Sequence, residues 1–259
     1  MSNNVIKNND EIIAKKSKNL LERIPTKKNR KQVENALEFS IKMHHGQTRK
    51  SGLPFVSHCI DVANILIDWN MDHTTVVSAL LHDVVEDTEV KLSDIEEEFG
   101  SDVALLVDGV TKVENIAFRS KKHKQAENFT KLFLSLARDL RVIIIKFADR
   151  LNNMETIQYL SSKKRKEIAL ETKEIFVPLA HRLGMAKLKW KLEDLSLKCL
   201  DLRAFNGIKK KIETSSRLNE DILSNAIKPI KSELNTYKIK SNIFGRYKSI
   251  SSIHRKIEK

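Results

Sequence analysis

The sequence is poor in the residues that build turn-rich or cross-linked folds. Its 259 residues include seven glycines and four prolines, whereas β sandwiches and barrels need turn residues at short, regular intervals. Its two cysteines, Cys59 and Cys199, lie far apart and form no CxxC pair. This spacing argues against a disulfide framework and against a cysteine zinc site. These shortages favour an all-α fold with long helices.

Long apolar runs are missing as well. No stretch approaches the roughly 18 apolar residues that a membrane span needs, and the N-terminal segment lacks the apolar core of a secretion signal. Hydrophobic residues make up 41% and charged residues 31% of the chain, as in folded soluble proteins. We therefore expect a cytoplasmic protein with no membrane partner.

The charge balance is strongly positive. With 47 Lys and Arg against 34 Asp and Glu, the formal net charge is +13, which favours anionic partners such as nucleotides, nucleic acid or acidic membrane. No nucleic-acid motif or aromatic stacking platform accompanies this charge. We expect a small anionic ligand and no specific nucleic-acid partner.

Apolar residues recur at helical spacing along most of the chain. The pattern predicts helices near 32–44, 57–69, 74–87, 93–100, 128–160 and 165–203, a loop over 47–55 and a polar loop or lid over 114–127. Asp72 and Thr74 both suit the N-cap of the helix near 74–87. Ser93 opens a capping box, and Gly100 stands where that helix would end. The apolar run at 142–145 has β-propensity, but no turn residues flank it, so helix is preferred. Pro178 is expected to start or kink a helix.

The segment ALLHDVVEDT (79–88) is the most informative in the chain. An apolar lead places it in the interior, yet His82, Asp83, Glu86 and Asp87 follow within six positions. On a continuous helix His82 would share a face with Glu86, and Asp83 with Asp87. Three carboxylates so close repel one another. Either a bound cation or exposure at a helix end relieves this repulsion, and the apolar surroundings favour the cation.

Further ligands are needed to complete a metal site. His58 opens the preceding predicted helix, and Asp149 ends a buried apolar segment. Taken singly, His58 suits a packing role and Asp149 suits an ion pair with Arg150. Taken with His82 and Asp83, they form a nitrogen and oxygen ligand set that suits Mn²⁺, Fe²⁺ or Zn²⁺ better than Ca²⁺.

Two other groups of residues suit a phosphorylated ligand. On a helix, Asp149, Asn153 and Thr156 line one face, as a ligand-facing stripe would. Arg49 and Lys50 lie in a loop with flanking glycines and hydroxyls, which either holds a phosphate or planar base or is an ordinary solvated turn.

Read together, these residues resemble the HD superfamily of metal-dependent phosphohydrolases, and more closely the hydrolase domain of the RelA/SpoT homologues. The resemblance covers roughly residues 30–200 and rests on five ordered blocks. They are HGQTRKSGLPFVSH (45–58), ALLHDVVEDT (79–88), EEFGSDVALLVDGVTKV (97–113), QAENFTKLFLSLARDLRVIIIKFADRLNNMET (125–156) and VPLAHRLGMAKLKWKLEDLSL (177–197).

The resemblance implies removal of the 3′-pyrophosphate of the alarmones ppGpp and pppGpp in an all-helical domain. It implies one Mn²⁺ ion, an acidic pair that acts on water, and residues that contact the substrate. The metal ligands match His58, His82, Asp83 and Asp149; the acidic pair matches Glu86 and Asp87; the substrate contacts match Arg49, Lys50, Ser51, Asn153 and Thr156. Arg49 matches the residue expected to stack on guanine. Asn152 stands where the family usually has His, and a minor effect is expected.

The C-terminal segment resembles the opening of the family's alarmone synthetase domain. IFGRYKSISSIHRKIEK (243–259) matches its basic nucleotide-binding stretch, with Tyr247 where Pro is usual. The family's Mg²⁺-binding acidic residues do not follow, so no synthetase activity is expected. The expected division is a polar extension over 1–30, the HD hydrolase domain over 31–200, a helical connector over 201–240 and the synthetase start over 241–259.

Two alternatives to an active alarmone hydrolase stay open at this stage. One is a catalytically weak remnant that binds guanine nucleotides or a partner. The other is an HD phosphohydrolase acting on a different nucleotide with a 2′- or 3′-phosphate. Turnover of ppGpp with Mn²⁺ separates them from the leading hypothesis.

Overall fold

The computed structural model describes residues 2–117, 139–214, 216–243, 245 and 248–258. Within these ranges every regular element is helical, apart from one isolated β-bridge between Thr48 and Pro54. The predicted all-α class is therefore confirmed. The helices are α1 (Ser2–Glu22), α2 (Lys27–Met43), α3 (Val56–Asp68), α4 (His73–Leu81), α5 (Val84–Asp87), α6 (Leu92–Phe99), α7 (Ser101–Ala117), α8 (Leu140–Glu155), α9 (Ser162–Glu171), α10 (Val177–Arg182), α11 (Ala186–Leu200), α12 (Leu202–Thr214), α13 (Ser216–Thr236) and α14 (Ile250–Ile257).

Two compact units make up the chain, Met1–Tyr159 and Leu160–Lys259. Among the described residues, no helix combines the length and apolarity that crossing a bilayer requires. The division into four functional segments that the sequence suggested stays a prediction.

The first unit is built around α3 and α4, with α1, α2, α7 and α8 packed against them. Helix α3 buries a continuous apolar face that includes Ile60, Val62 and Leu66. The polar lead-in forms α1, which buries Leu20 and reaches α3 through an ion pair between Lys16 Nζ and Asp61 Oδ2 at 2.6 Å. The candidate site residues therefore stand on a framework fixed by apolar burial.

The predicted helix over 74–87 is wrong as a continuous element. Helix α4 ends at Leu81, α5 begins at Val84, and His82 and Asp83 lie in the break. The His82 ring donates from Nδ1 to the carbonyl oxygen of Ala79 at 2.8 Å. In a continuing helix that oxygen would accept the backbone N–H of Asp83. Both side chains lie largely inside the first unit, with 1% of the His82 side chain and 15% of the Asp83 side chain exposed.

The N-terminus of α4 matches the sequence prediction. The carboxylate of Asp72, one of two predicted N-caps, accepts the backbone N–H of Thr75 at 3.0 Å.

Helix α6 follows its prediction at one end only. Gly100, with φ of +90°, ends it as predicted, because few side chains tolerate that conformation. Its N-cap is Lys91 rather than Ser93, since the Asp94 carboxylate accepts the backbone N–H of Lys91 at 2.9 Å.

The apolar run at 142–145 is helical within α8, as preferred from the sequence. Helices α7 and α8 approach closely at Gly109, where a Cβ would lie 2.6 Å from Cγ2 of Val142. Residues 114–117 of the predicted loop or lid belong to α7. Its remainder, like residues 128–138 of the following predicted helix, lies outside the described residues.

In the second unit, α9, α10, α12 and α14 pack against α11. Pro178 lies in the first turn of α10, as expected, after a wider turn over Thr172–Phe176. Helix α14 is fixed at its start by Asp194, whose carboxylate accepts the backbone N–H groups of Ile250 at 3.3 Å and Ser251 at 2.8 Å. Tyr247, singled out in the sequence, lies outside the described residues.

Candidate metal centre and active site

Four candidate ligands meet in the interior of the first unit. His58 comes from the first turns of α3, His82 and Asp83 from the break between α4 and α5, and Asp149 from α8. His58 Nε2 lies 3.2 Å from Asp149 Oδ1 and 3.7 Å from Asp83 Oδ2. His82 Nε2 lies 3.0 Å from Asp83 Oδ1. The structure thus brings together the residues that the sequence proposed as one site.

Both histidine rings are held by their Nδ1 atoms. His58 Nδ1 lies 2.7 Å from Oδ1 of Asn152, and His82 Nδ1 lies 2.8 Å from the carbonyl oxygen of Ala79. These oxygens accept a hydrogen bond, so each Nδ1 carries a proton and each Nε2 faces the carboxylates. Protein metal sites commonly orient their histidines in this way.

Within the cluster, the surroundings of His82 Nε2 are the strongest indication of a bound cation. This atom is buried and has no hydrogen-bond partner, although buried polar atoms normally have one. With the ring proton on Nδ1, its lone pair faces an oxygen of Asp83 at 3.0 Å. Two electron-rich atoms at this distance repel each other unless a proton or metal ion lies between them. The residues present therefore fit a metal ion.

The surrounding charges support the same conclusion. Burial alone would raise the pKa of Asp149, but the Lys146 ammonium and the hydrogen bond from His58 hold that pKa well below its usual value. Burial alone would lower the pKa of His58, but Asp149 and Asp83 outweigh this effect and raise it. Asp149 is thus a carboxylate in the interior, and it lies 3.2 Å from Nε2 of His58, where a metal ion would bind.

The donor set contains no thiolate. The ligand atoms of His58, His82 and Asp149 all lie within 4.8 Å of one another, and those of Cys59, His82 and Asp83 meet the same limit. Burial raises the pKa of the Cys59 thiol well above its usual value, and a protonated thiol is a poor ligand. Nitrogen and carboxylate oxygen remain, as the sequence indicated.

The acidic pair lies beside this cluster on the short helix α5. Glu86 and Asp87 are exposed and line an open groove with Lys42, Met43 and Gln47. The Gln47 side chain donates from Nε2 to the carbonyl oxygen of Asp87 at 3.0 Å, and its Oε1 accepts from Nδ1 of His44 at 2.8 Å. Two exposed carboxylates therefore lie within one helical turn of Asp83 along the chain, where they can reach water.

The loop between α2 and α3 carries the predicted substrate contacts. Arg49 Nη2 donates to Oδ1 of Asn153 at 2.6 Å, which links this loop to α8. Lys50 is exposed. The Ser51 hydroxyl accepts the backbone N–H of Leu53 at 3.4 Å, inside the loop, and the Thr156 hydroxyl donates to the carbonyl oxygen of Asn152 at 3.0 Å. Of the predicted substrate residues, Arg49 and Asn153 are in direct contact.

Sequence reasoning missed two residues of this site. Lys146 is buried at 2% exposure with its Nζ 3.2 Å from Asp149 Oδ2. Its signal was a single charge inside an apolar run. Asn152 is buried against His58, and its only signal was a departure from the resembled family. The contact of Asn152 with His58 depends on how α3 and α8 pack, whereas Lys146 and Asp149 lie one turn apart on α8 itself.

Comparison with known proteins identifies the domain. A family model described as "HD domain" matches residues 36–186, more than half of the chain. The chain belongs to the HD domain family. All four candidate metal ligands, the acidic pair and the predicted substrate residues lie inside the matched region.

The curated relatives of this HD domain are longer proteins. The guanosine-3′,5′-bis(diphosphate) 3′-pyrophosphohydrolase of Haemophilus influenzae is 41% identical over 214 residues, 83% of this chain and 32% of that protein. The bifunctional (p)ppGpp synthase/hydrolase SpoT of Escherichia coli is 42% identical over 214 residues, 83% and 30%. A GTP pyrophosphokinase of Myxococcus xanthus is 40% identical over 229 residues, 87% and 30%. The chain thus spans about a third of the length of these relatives.

A solved structure gives the same fold. A metazoan orthologue of SpoT, described as hydrolysing ppGpp, matches with a TM-score of 0.50 and 27% identity, over 66% of this chain and 95% of that one. That protein is covered almost entirely, which supports the all-helical HD fold.

Proposed function

We propose that this chain hydrolyses the 3′-pyrophosphate of ppGpp and pppGpp, giving GDP or GTP and pyrophosphate, and so ends a stringent-response signal. One Mn²⁺ ion would be held by His58, His82, Asp83 and Asp149. One observation carries the proposal. Nε2 of His82 is buried, has no hydrogen-bond partner and faces the carboxylate of Asp83. Relatives named as (p)ppGpp hydrolases support the choice of substrate.

The residues divide the chemistry between them. A divalent cation bound here would lower the pKa of a water molecule and polarise a phosphoryl oxygen. Glu86 and Asp87 would orient that water and accept its proton. The proton is assigned to the pair, without choosing between the two carboxylates.

The loop and α8 would bind the nucleotide. Arg49 would stack on guanine, and Arg49 with Lys50 would offset the charge of the phosphates. Ser51, Asn153 and Thr156 would line the nucleotide pocket. A cytoplasmic location, expected from the sequence, stays a prediction.

Turnover of ppGpp tests the proposal. When the purified chain is incubated with Mn²⁺ and ppGpp, it should release GDP and pyrophosphate. Anion-exchange chromatography measures both products. Asp83→Ala should lose Mn²⁺ binding and turnover together. Glu86→Gln should keep Mn²⁺ binding and slow turnover by about 10²-fold or more, as loss of a general base does.

Asp94→Asn provides a matched control, since Asp94 lines the same groove and has no proposed part in the reaction. Its turnover should stay within about twofold of the original chain. Tight ppGpp binding without product would overturn the proposed hydrolysis and favour a domain that only binds nucleotides. Turnover of another 3′-phosphorylated nucleotide, but not of ppGpp, would redirect the proposal to a different substrate.

A further inference from the structure

Asn152 occupies a position next to the metal site that the proposed function leaves without a role. It lies on α8 and is 5% exposed. Its Oδ1 is 2.7 Å from His58 Nδ1 and 3.4 Å from Nη1 of Arg49. The guanidinium of Arg49 can only donate hydrogen bonds. The side of the amide that faces both groups must therefore be its oxygen.

This oxygen determines which nitrogen of His58 faces the carboxylates. Because Oδ1 accepts a hydrogen bond, Nδ1 of His58 carries the proton. Nε2 is then directed to Asp149 at 3.2 Å and Asp83 at 3.7 Å. If Nδ1 lost this acceptor, the ring could rotate or take the other tautomer, in which Nε2 carries a proton that a metal ion would have to displace.

The neighbouring asparagine has an analogous arrangement. Asn153 donates from Nδ2 to Asp149 Oδ1 at 2.6 Å, and its Oδ1 accepts from Arg49 Nη2 at 2.6 Å. Each asparagine thus contacts one proposed metal ligand and the same arginine. In metal sites, groups that orient the ligands in this way commonly contribute 10–100-fold to affinity.

We propose that Asn152 is a positioning residue of the metal centre, whose amide oxygen holds His58 with Nε2 directed at the cation. The inference rests on the proposed function, because it assumes that the cluster binds a metal ion. It differs from the expectation from sequence, in which the change from the family's His to Asn152 has a minor effect.

Mn²⁺ affinity of the full chain tests this role. Isothermal titration with Mn²⁺ alone should show that Asn152→Leu weakens binding about 10–100-fold. Asn152→Asp keeps an acceptor oxygen at the same place, so its affinity should fall by no more than about threefold or should increase. Because Asp has nearly the size and shape of Asn, this contrast tests whether affinity requires an acceptor oxygen at that place, and the nitrogen-15 spectrum of His58 separates loss of the hydrogen bond from a change in packing.

Asn64 offers a matched control on α3. Its Oδ1 accepts from Arg23 Nη1 at 2.7 Å, and its Nδ2 donates to the carbonyl oxygen of Ile60 at 3.1 Å. Asn64→Leu therefore removes a comparable asparagine–arginine contact away from the metal ligands. Its Mn²⁺ affinity should equal that of the unchanged chain.

Nitrogen-15 spectra of the histidine rings give a readout that does not depend on Mn²⁺. The unchanged chain should show a protonated, hydrogen-bonded Nδ1 on His58, and Asn152→Leu should lose that signal.

The outcomes separate the two proposals. If the unchanged chain binds Mn²⁺ and Asn152→Leu binds it equally well, or Asn152→Asp is as weak as Asn152→Leu, the role of Asn152 is overturned. If the unchanged chain binds no Mn²⁺, the proposed function fails, and the His58 spectrum alone decides whether Asn152 holds the ring.

Discussion

The two units differ in where their charges lie. Residues 1–159 contain 23 Lys and Arg against 23 Asp and Glu, so their formal charge is zero. Residues 160–259 contain 24 against 11, which leaves +13, the net charge of the whole chain. Yet every residue proposed for metal or substrate binding lies in the neutral unit. The net charge that first suggested an anionic ligand therefore comes from a different part of the molecule.

One ion pair from each unit shows what burial changes. In the first unit, Lys146 and Asp149 pair with side-chain exposures of 2% and 10%. In the second, Arg255 pairs with Glu193 at exposures of 57% and 8%. A buried charge needs its partner, because the cost of desolvation is not offset otherwise, whereas the exposed charge of Arg255 is screened by water and salt. Burial of both partners, rather than total charge, therefore identifies the ion pair whose loss is costly.

The largest effect is expected at Lys146. Lys146→Met removes the ammonium beside buried Asp149 and should destabilise the first unit by about 3 kcal/mol, as the loss of one partner of a buried ion pair does. Mn²⁺ should reduce the difference, since the cation would neutralise Asp149. Urea unfolding followed by Trp69 fluorescence in a Trp190→Phe background reports on the first unit, because each unit contains one of the two tryptophans.

Arg255→Met is the matched change in the second unit, followed through Trp190 in a Trp69→Phe background. It should cost no more than about 1 kcal/mol, because Arg255 is more than half exposed and buried Glu193 keeps Lys189 Nζ at 3.7 Å. Equal losses at Lys146 and Arg255 would contradict the distinction between buried and exposed charge.

Two glycines give a second contrast, in packing rather than charge. Gly109→Ala places a Cβ 2.6 Å from Val142 Cγ2 and should destabilise the first unit by about 1–3 kcal/mol through overpacking. Gly207, inside α12, has no atom within 4 Å of an added Cβ. Gly207→Ala should stabilise the second unit by about 0.5–1 kcal/mol. The same unfolding measurement applies to both variants. If both substitutions changed the free energy of unfolding in the same direction, the close approach of α7 and α8 would be wrong.

A smaller effect is expected at the cap of α4. Partial burial would raise the pKa of Asp72, but the hydrogen bonds from Thr75 and the charge of Arg141 lower it. Its stabilisation is thus present above the unfolded-state pKa of about 3.9 and is lost as pH falls through the lower folded-state value. Asp72→Ala should lower the free energy of unfolding by about 1 kcal/mol at pH 7. The difference in stability from the unchanged chain should narrow below about pH 4. A difference in stability that widens in acid would contradict the lowered pKa of Asp72.

Local signals in the sequence predicted much of this fold. Gly100 ends α6 because its backbone conformation suits glycine, and Asp72 caps α4 through a contact three residues away. The proximity of His82 and Asp149 was predictable, because each of these ionisable residues directly follows an apolar run. Such signals need no knowledge of how helices pack.

Two side-chain contacts explain what the sequence did not predict. At the break between α4 and α5, the His82 ring bonds to the carbonyl oxygen of Ala79, and this local contact leaves no mark in the helical pattern. The contact between His58 and Asn152 joins residues 94 positions apart. An asparagine in a helix carries no sign of such a partner, so this contact is apparent only from the packing of α3 against α8.

The central claim is that the buried cluster of the neutral unit holds one divalent cation. Anomalous diffraction at the manganese edge, from crystals grown with Mn²⁺, tests it most directly. We expect a single ion bound by Nε2 of His58 and His82 and by carboxylate oxygens of Asp83 and Asp149. Full occupancy elsewhere, for example on Glu86 and Asp87 alone, or no ion at the cluster at saturating Mn²⁺, would contradict it.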